Sequence, residues 1–205
     1  MKTFARKIAD AVHGCRIQAL LIFVVYCLSC VVGIVQVHTG SDFALRLRDK
    51  IVGDVSTSET ATQYQAGNGL SAAYHDFVGN LFLAAVPQTV AGLGVVFPFV
   101  SVPYQGWVGG IVSVDGGHQS RLTRLPGAAY YVIVVLLQFI PFSLSIGAGV
   151  KCGLETYRAN SAVGWKFWQF RFSWKALLDV AYVYALAVPL FFIASCIEFL
   201  SSWNV

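Results

Sequence analysis
The chain has 205 residues, of which 57% are hydrophobic and only 12% are Asp, Glu, Lys or Arg, with a formal net charge of +4. A soluble domain is about one-quarter charged, so this chain lacks the polar residues to wet a globular surface. Its basic residues stand beside long apolar runs, as determinants of membrane orientation do, so the positive balance carries no expectation of nucleic-acid binding, and no local pattern of side chains points to an enzyme or a cofactor.

Lys2, Arg6, Lys7 and Arg16 precede the first apolar run, Ile17 to Val37. That run has the length of a membrane span rather than of a signal-peptide core, and no small-residue cleavage site follows it, so an uncleaved first span is expected. Five cysteines, Cys15, Cys27, Cys30, Cys152 and Cys196, fall mostly in or beside apolar segments. They define no disulfide framework, and Cys27-x-x-Cys30 reads as two small apolar side chains at helical spacing rather than a redox or zinc motif.

The long polar stretch runs over residues 39–76. It opens with Ser41 at a helix-capping position and with Phe43, Leu47 and Ile51 recurring at i, i+4 and i+8, which predicts a short amphipathic helix lying on the outer membrane surface or docked on a partner. TSETATQYQAGNG after it reads as a flexible connector. A second span is expected over 77–100. Residues 101–114, SVPYQGWVGGIVSV, are uncharged, short and rich in Gly and Pro, and read as a further span or as the return arm of a re-entrant hairpin. Runs over 128–150 and 176–200 complete the set.

The Lys and Arg distribution decides between even and odd span counts. With a return near Pro98 to Pro103, the four N-terminal cations join Lys151, Arg158, Lys166, Arg171 and Lys175 on one side, against Arg46, Arg48, Lys50, Arg121 and Arg124 on the other. The expected architecture is therefore all-α. It is a single polytopic bundle of about five spans with a broken helix pair and an outer amphipathic helix, N-terminus in the cytoplasm and C-terminus outside a prokaryotic plasma membrane. The sequence WKFWQFRFSWK places Trp165, Trp168 and Trp174 among cations before the last span. They are interfacial anchors or, since crowded aromatics also form binding hot spots, a docking surface.

Charges at membrane depth cost roughly 2.5–3.5 kcal/mol each on insertion scales. Asp179 is expected to pair with Lys175 one turn away, and Glu198 to reach outer water. Asn80, Gln88 and Gln138 are expected to form interhelical hydrogen bonds. The paired carboxylates of a transport path are not evident. Gly149-x-x-x-Gly153 predicts close helix approach, while Pro141 and other prolines predict kinks that neighbouring helices must satisfy. His38, His75 and His118 fall at outer helix ends near Asp76 and Asp115. They would ligate Cu or Zn only if packing brings them together, and otherwise are ordinary interfacial histidines.

Several segments also match a known pattern: NLFLAAVPQTVAGLG beginning at Asn80, then GWVGGIVSV, then LLQFIPFSLSIGAGVKCG with Pro141, and PLFFIASCIEFL with Glu198 in a closing Ala-x-x-Ile-Glu-like position. With the single N-terminal span and the outer loop, this layout resembles the stage II sporulation protein M family. Gln138 stands where that family usually has Glu, and Val134 and Val135 where a His-Gly pair commonly precedes it. The resemblance implies a non-enzymatic membrane component that assembles with protein partners in a larger complex or homo-oligomer. Family members recruit cell-wall hydrolases or look like companions of ABC-type transporters. A small transporter or channel component is the alternative, and a metal-handling membrane protein a third reading.

Overall fold
A computed structural model describes residues 3–161 and 173–200; Trp165 and Trp168 lie outside them. The described residues form α1 (Phe4–His38), α2 (Asp42–Ser56), α3 (Glu59–Gln65), α4 (Gly69–Val78), a π-helical segment (Gly79–Ala85), α5 (Val86–Gly92), α6 (Pro98–Ile111), α7 (Leu125–Ser161) and α8 (Trp174–Leu200). Among them there is no sheet, only an isolated antiparallel bridge between Val114 and Ser120. Three helices, α1, α7 and α8, are long and apolar enough to cross a membrane. Large apolar side chains such as Leu20, Leu28, Val31 and Val35 on α1 are exposed, as on a helix that faces lipid.

Contacts along the helices fix their directions. Phe139 of α7 stacks on Tyr26 of α1 with centroids 4.7 Å apart, and Gly147 lies against Ala19, so α7 runs antiparallel to α1. Phe142 meets Phe191 edge-on at 4.8 Å, and the Tyr130 hydroxyl donates to the Glu198 carbonyl. α8 is therefore antiparallel to α7. Phe77 packs edge-on against Phe192, and the Thr89 and Tyr184 hydroxyls are 2.7 Å apart, so residues 69–92 also run antiparallel to α8. α6 returns parallel to α1, with Gly106 over Tyr26 and Gly110 over Cys30 and Gly33.

The expected span over 77–100 is displaced. Helix begins at Gly69, continues without a gap to Gly92, and reverses over residues 93–97, where Val95 has a φ of 59°. That left-handed conformation is costly for a β-branched residue. Pro98, expected to mark the return, instead opens α6, where its missing N–H costs no helical bond. The π-helical segment lies just before Pro87, which has no N–H for the Leu83 carbonyl, so the backbone widens where the α-helical ladder is interrupted.

The expected connector is partly helical. Ser58 caps α3 by accepting from the Ala61 N–H at 3.2 Å, and Tyr64 packs edge-on against Phe199. On α2, Ser41 occupies the N-cap without a side-chain cap bond. The buried face is also rotated from the expected stripe. Ala44 and Arg48 are buried, whereas Phe43 stays exposed and stacks on Trp107. α2 lies across the ends of α1 and α6, and small Ala44 fits where Phe43 would not.

Glycines set the helix spacing. A Cβ at Gly110 would overlap the Cys30 carbonyl, and one at Gly106 would lie 2.6 Å from the Tyr26 carbonyl oxygen. Across the bundle, Cβ atoms at Gly149 and Gly153 would overlap the Thr89 and Leu93 carbonyls. The Cys30 and Thr89 oxygens belong to helix backbone and cannot move aside, so Gly110→Val and Gly149→Val should each cost about 1–3 kcal/mol or more. Their thermal midpoints in detergent should fall accordingly. Gly53→Ala, where a Cβ meets open space on α2, should leave the midpoint unchanged or raise it.

Candidate functional site: a carboxylate pair between three helices
Asp76 on α4 and Glu198 on α8 are neighbours near the end of the bundle that carries α2 and α3. Asp76 Oδ2 accepts from Asn80 Nδ2 at 2.9 Å and from the Ser195 hydroxyl at 2.6 Å. Glu198 Oε2 accepts from Gln138 Nε2 at 3.0 Å. Gln138 on α7 also faces the Asp76 carboxyl, so one amide stands near both acids. Its Oε1 is buried and has no hydrogen-bond partner among the described residues. The Tyr130 hydroxyl, donating to the Glu198 backbone carbonyl at 2.9 Å, satisfies one of the carbonyls that every helix C-terminus leaves open.

The helical geometry explains how these residues meet. Asp76 and Asn80 are four apart and share one face, and antiparallel α8 presents Ser195 and Glu198, three apart, toward them. Glu198 therefore does not simply reach outer water; it is half-buried and held by Gln138. Sequence reasoning placed Gln138 and Asn80 at depth but expected Glu198 in outer water, and it missed Asp76 and Ser195 as partners. The available signal was Asp76-x-x-x-Asn80 running directly into an apolar helix.

Other deep polar groups are also paired. The Tyr26 hydroxyl donates to Gln105 Oε1 at 2.7 Å, with Gln88 Oε1 3.4 Å away. Trp107 Nε1 donates to Gln36 Oε1 at 2.6 Å. At the other end of the bundle, Asp179 pairs not with Lys175 but with Lys151 of α7, at 2.6 Å, and Glu155 lies 3.4 Å from the same ammonium. Lys175 is exposed. Lys151 is not in a loop, because α7 continues to Ser161, and its stem crosses the space left by Gly14. Trp174 is also exposed.

The three outer histidines do not converge. His38 Nε2 bonds the Ser120 hydroxyl at 2.6 Å, His118 Nε2 pairs with Asp49 Oδ2 at 3.0 Å, and His75 packs against Tyr74 on α4. Among the described residues no group of three His, Cys, Asp or Glu is placed to hold a metal ion. His38 and His118 instead fasten residues 112–124 to α1 and α2, helped by Arg48, which donates to the Val114 carbonyl and to Asp49. Hydrogen bonding from Arg48 and then His118 holds the Asp49 carboxyl below the usual carboxylate range. The backbone N–H groups of Gln119 and Gly117 hold Asp115 low in the same way.

The architecture is that of an all-helical bundle with three helices able to cross a membrane and two acids brought together between its helices. No family model matches the chain, and neither does any curated protein or solved structure. The resemblance to the stage II sporulation protein M family therefore rests on the segments quoted above.

Two outcomes follow from these contacts. Charged hydrogen bonds are worth about 1.5–3 kcal/mol, so Ser195→Ala should destabilise the wild-type chain by that amount but cost clearly less beside Asp76→Asn. A double-mutant cycle on detergent-solubilised protein measures the difference. Carboxyls with lowered pKa stabilise the fold above their unfolded values of about 4 and lose that contribution as pH falls through the lowered ones. Amide exchange at Gly117 and Gln119, compared with α7, should therefore accelerate below roughly pH 4 beyond the intrinsic pH trend.

Proposed function
We propose that this protein is a non-enzymatic integral membrane scaffold or accessory subunit that assembles with partner proteins. It crosses the bilayer about five times, through α1, residues 69–92, α6, α7 and α8, with its N-terminus in the cytoplasm. The alternating directions of these segments support that count, and the Lys and Arg bias supports the orientation. One observation carries the functional reading: several polar side chains on different helices are bonded to one another. Tyr26 is committed to Gln105, Trp107 to Gln36, Thr89 to Tyr184 and Lys151 to Asp179. Such pairs, with glycine-mediated backbone contact, make a rigid bundle, and its two ends offer surfaces to partners. The resemblance to the stage II sporulation protein M family agrees with this role.

Purification in mild detergent after cross-linking should retain defined membrane-protein partners, identified by mass spectrometry. Solute or ion flux by the isolated protein in liposomes would overturn the scaffold reading. A small transporter component is favoured by a different observation, the Asp76–Glu198 pair with the unpaired Gln138 oxygen beside it. This is a hard oxygen-donor set suited to a proton or a small cation. In that case Asp76→Asn and Glu198→Gln should each reduce flux at least tenfold while the folded protein is retained; flux that survives both removes the reading.

A further inference from the structure
A groove of about 340 Å³ runs between α1 and α6, lined by Ser29, Val32, Pro103, Tyr104 and Trp107. It owes its shape to the close approach at Gly106, where a Cβ would lie 3.0 Å from Ser29 Cβ. Exposed Leu28, Val31, Val32 and Val35 surround it on the apolar surface of α1, so it opens where acyl chains would stand. Phe43 of α2 stacks on one of its lining residues, Trp107, with centroids 5.9 Å apart, and the indole is held in place by Gln36.

From Phe43, Arg46 and Lys50 follow at i+3 and i+7, both exposed. Neither forms an ion pair with a described residue, although Asp42 and Asp54 lie four residues away on either side. Like charges at i, i+4 repel each other, and an anion between them would relieve that repulsion. An apolar slot on the lipid-facing surface beside two exposed cations that make no ion pair with a described residue suits a molecule with a hydrocarbon chain and a phosphate.

We propose that the α1–α6 groove seats an acyl chain of an anionic phospholipid whose phosphate is held by Arg46 and Lys50. The occupant bridges α2 to the bundle and steadies the helix that faces partners. Trp107 is a built-in reporter. The full chain with Trp165, Trp168, Trp174 and Trp203 replaced by Phe, leaving Trp107 alone, is reconstituted into vesicles of phosphatidylcholine containing brominated phosphatidylglycerol or brominated phosphatidylcholine. Brominated phosphatidylglycerol should quench Trp107 at roughly tenfold lower mole fraction. Arg46→Gln/Lys50→Gln, at two exposed positions, should abolish the preference without changing helix content. Val32→Phe, which fills the slot and leaves the charges, should weaken quenching by both lipids. Equal quenching by the two lipids overturns the proposal. So does a preference that survives loss of both cations, or quenching unaffected by Val32→Phe.

Discussion

Close contact between helix backbones, made possible by glycine, is the constraint on which the rest of this structure depends. In lipid, hydrocarbon tails are as apolar as leucine, so burying leucine against leucine gives helices little reason to associate. What remains is dispersion at short range and polar bonding. Gly33, Gly106 and Gly110 bring α6 down onto α1, while Gly92, Gly149 and Gly153 do the same for α5 and α7. Because backbone meets backbone, the helices cannot slide without collision, and each polar side chain is presented at one height along the bundle.

That registration lets the polar residues be satisfied. Tyr26 reaches Gln105 because Gly106 seats α6 at the level of Tyr26, and the Asp76, Gln138 and Glu198 cluster requires α4, α7 and α8 to keep their relative heights. The broken course from α5 to α6 belongs to the same solution. A left-handed Val95 lies in the turn between Gly92 and Pro98, so a compact return can pack on α1 rather than continue α5. The groove between α1 and α6 is a by-product of this packing, since a glycine contact flanked by Tyr104 and Trp107 leaves an apolar slot beside it.

Much of the helical layout was legible because apolar length is a local property. α1, α7 and α8 announce themselves by runs that few charges interrupt, and Gly149-x-x-x-Gly153 marks a contact by its spacing. The boundary between α5 and α6 was legible only to within a few residues, since the return was expected near Pro98 to Pro103 and the chain reverses over residues 93–97. Both sides are uncharged and apolar, so hydropathy passes smoothly across the turn, and prolines at 98 and 103 suggest a break where helix in fact starts and continues. The rotation of α2 was hidden for another reason. Periodicity marks an apolar stripe, but the shape of the surface beneath it selected Ala44 and the stem of Arg48 for burial.

The candidate site divides along the same line. The sequence by itself determined that this is an apolar, helical chain with a few polar groups stranded at depth, because composition and run length depend only on neighbours along the chain. Which polar groups meet was decided by the tertiary structure alone. Asp179 chose Lys151 over adjacent Lys175, Glu198 met Gln138 rather than water, and Asp76 found Ser195 on a distant helix. The three histidines separated into individual tethers. The physical reason is that a hydrogen bond depends on ångström-scale distance and direction, and helices far apart in sequence acquire those only when their backbones have packed.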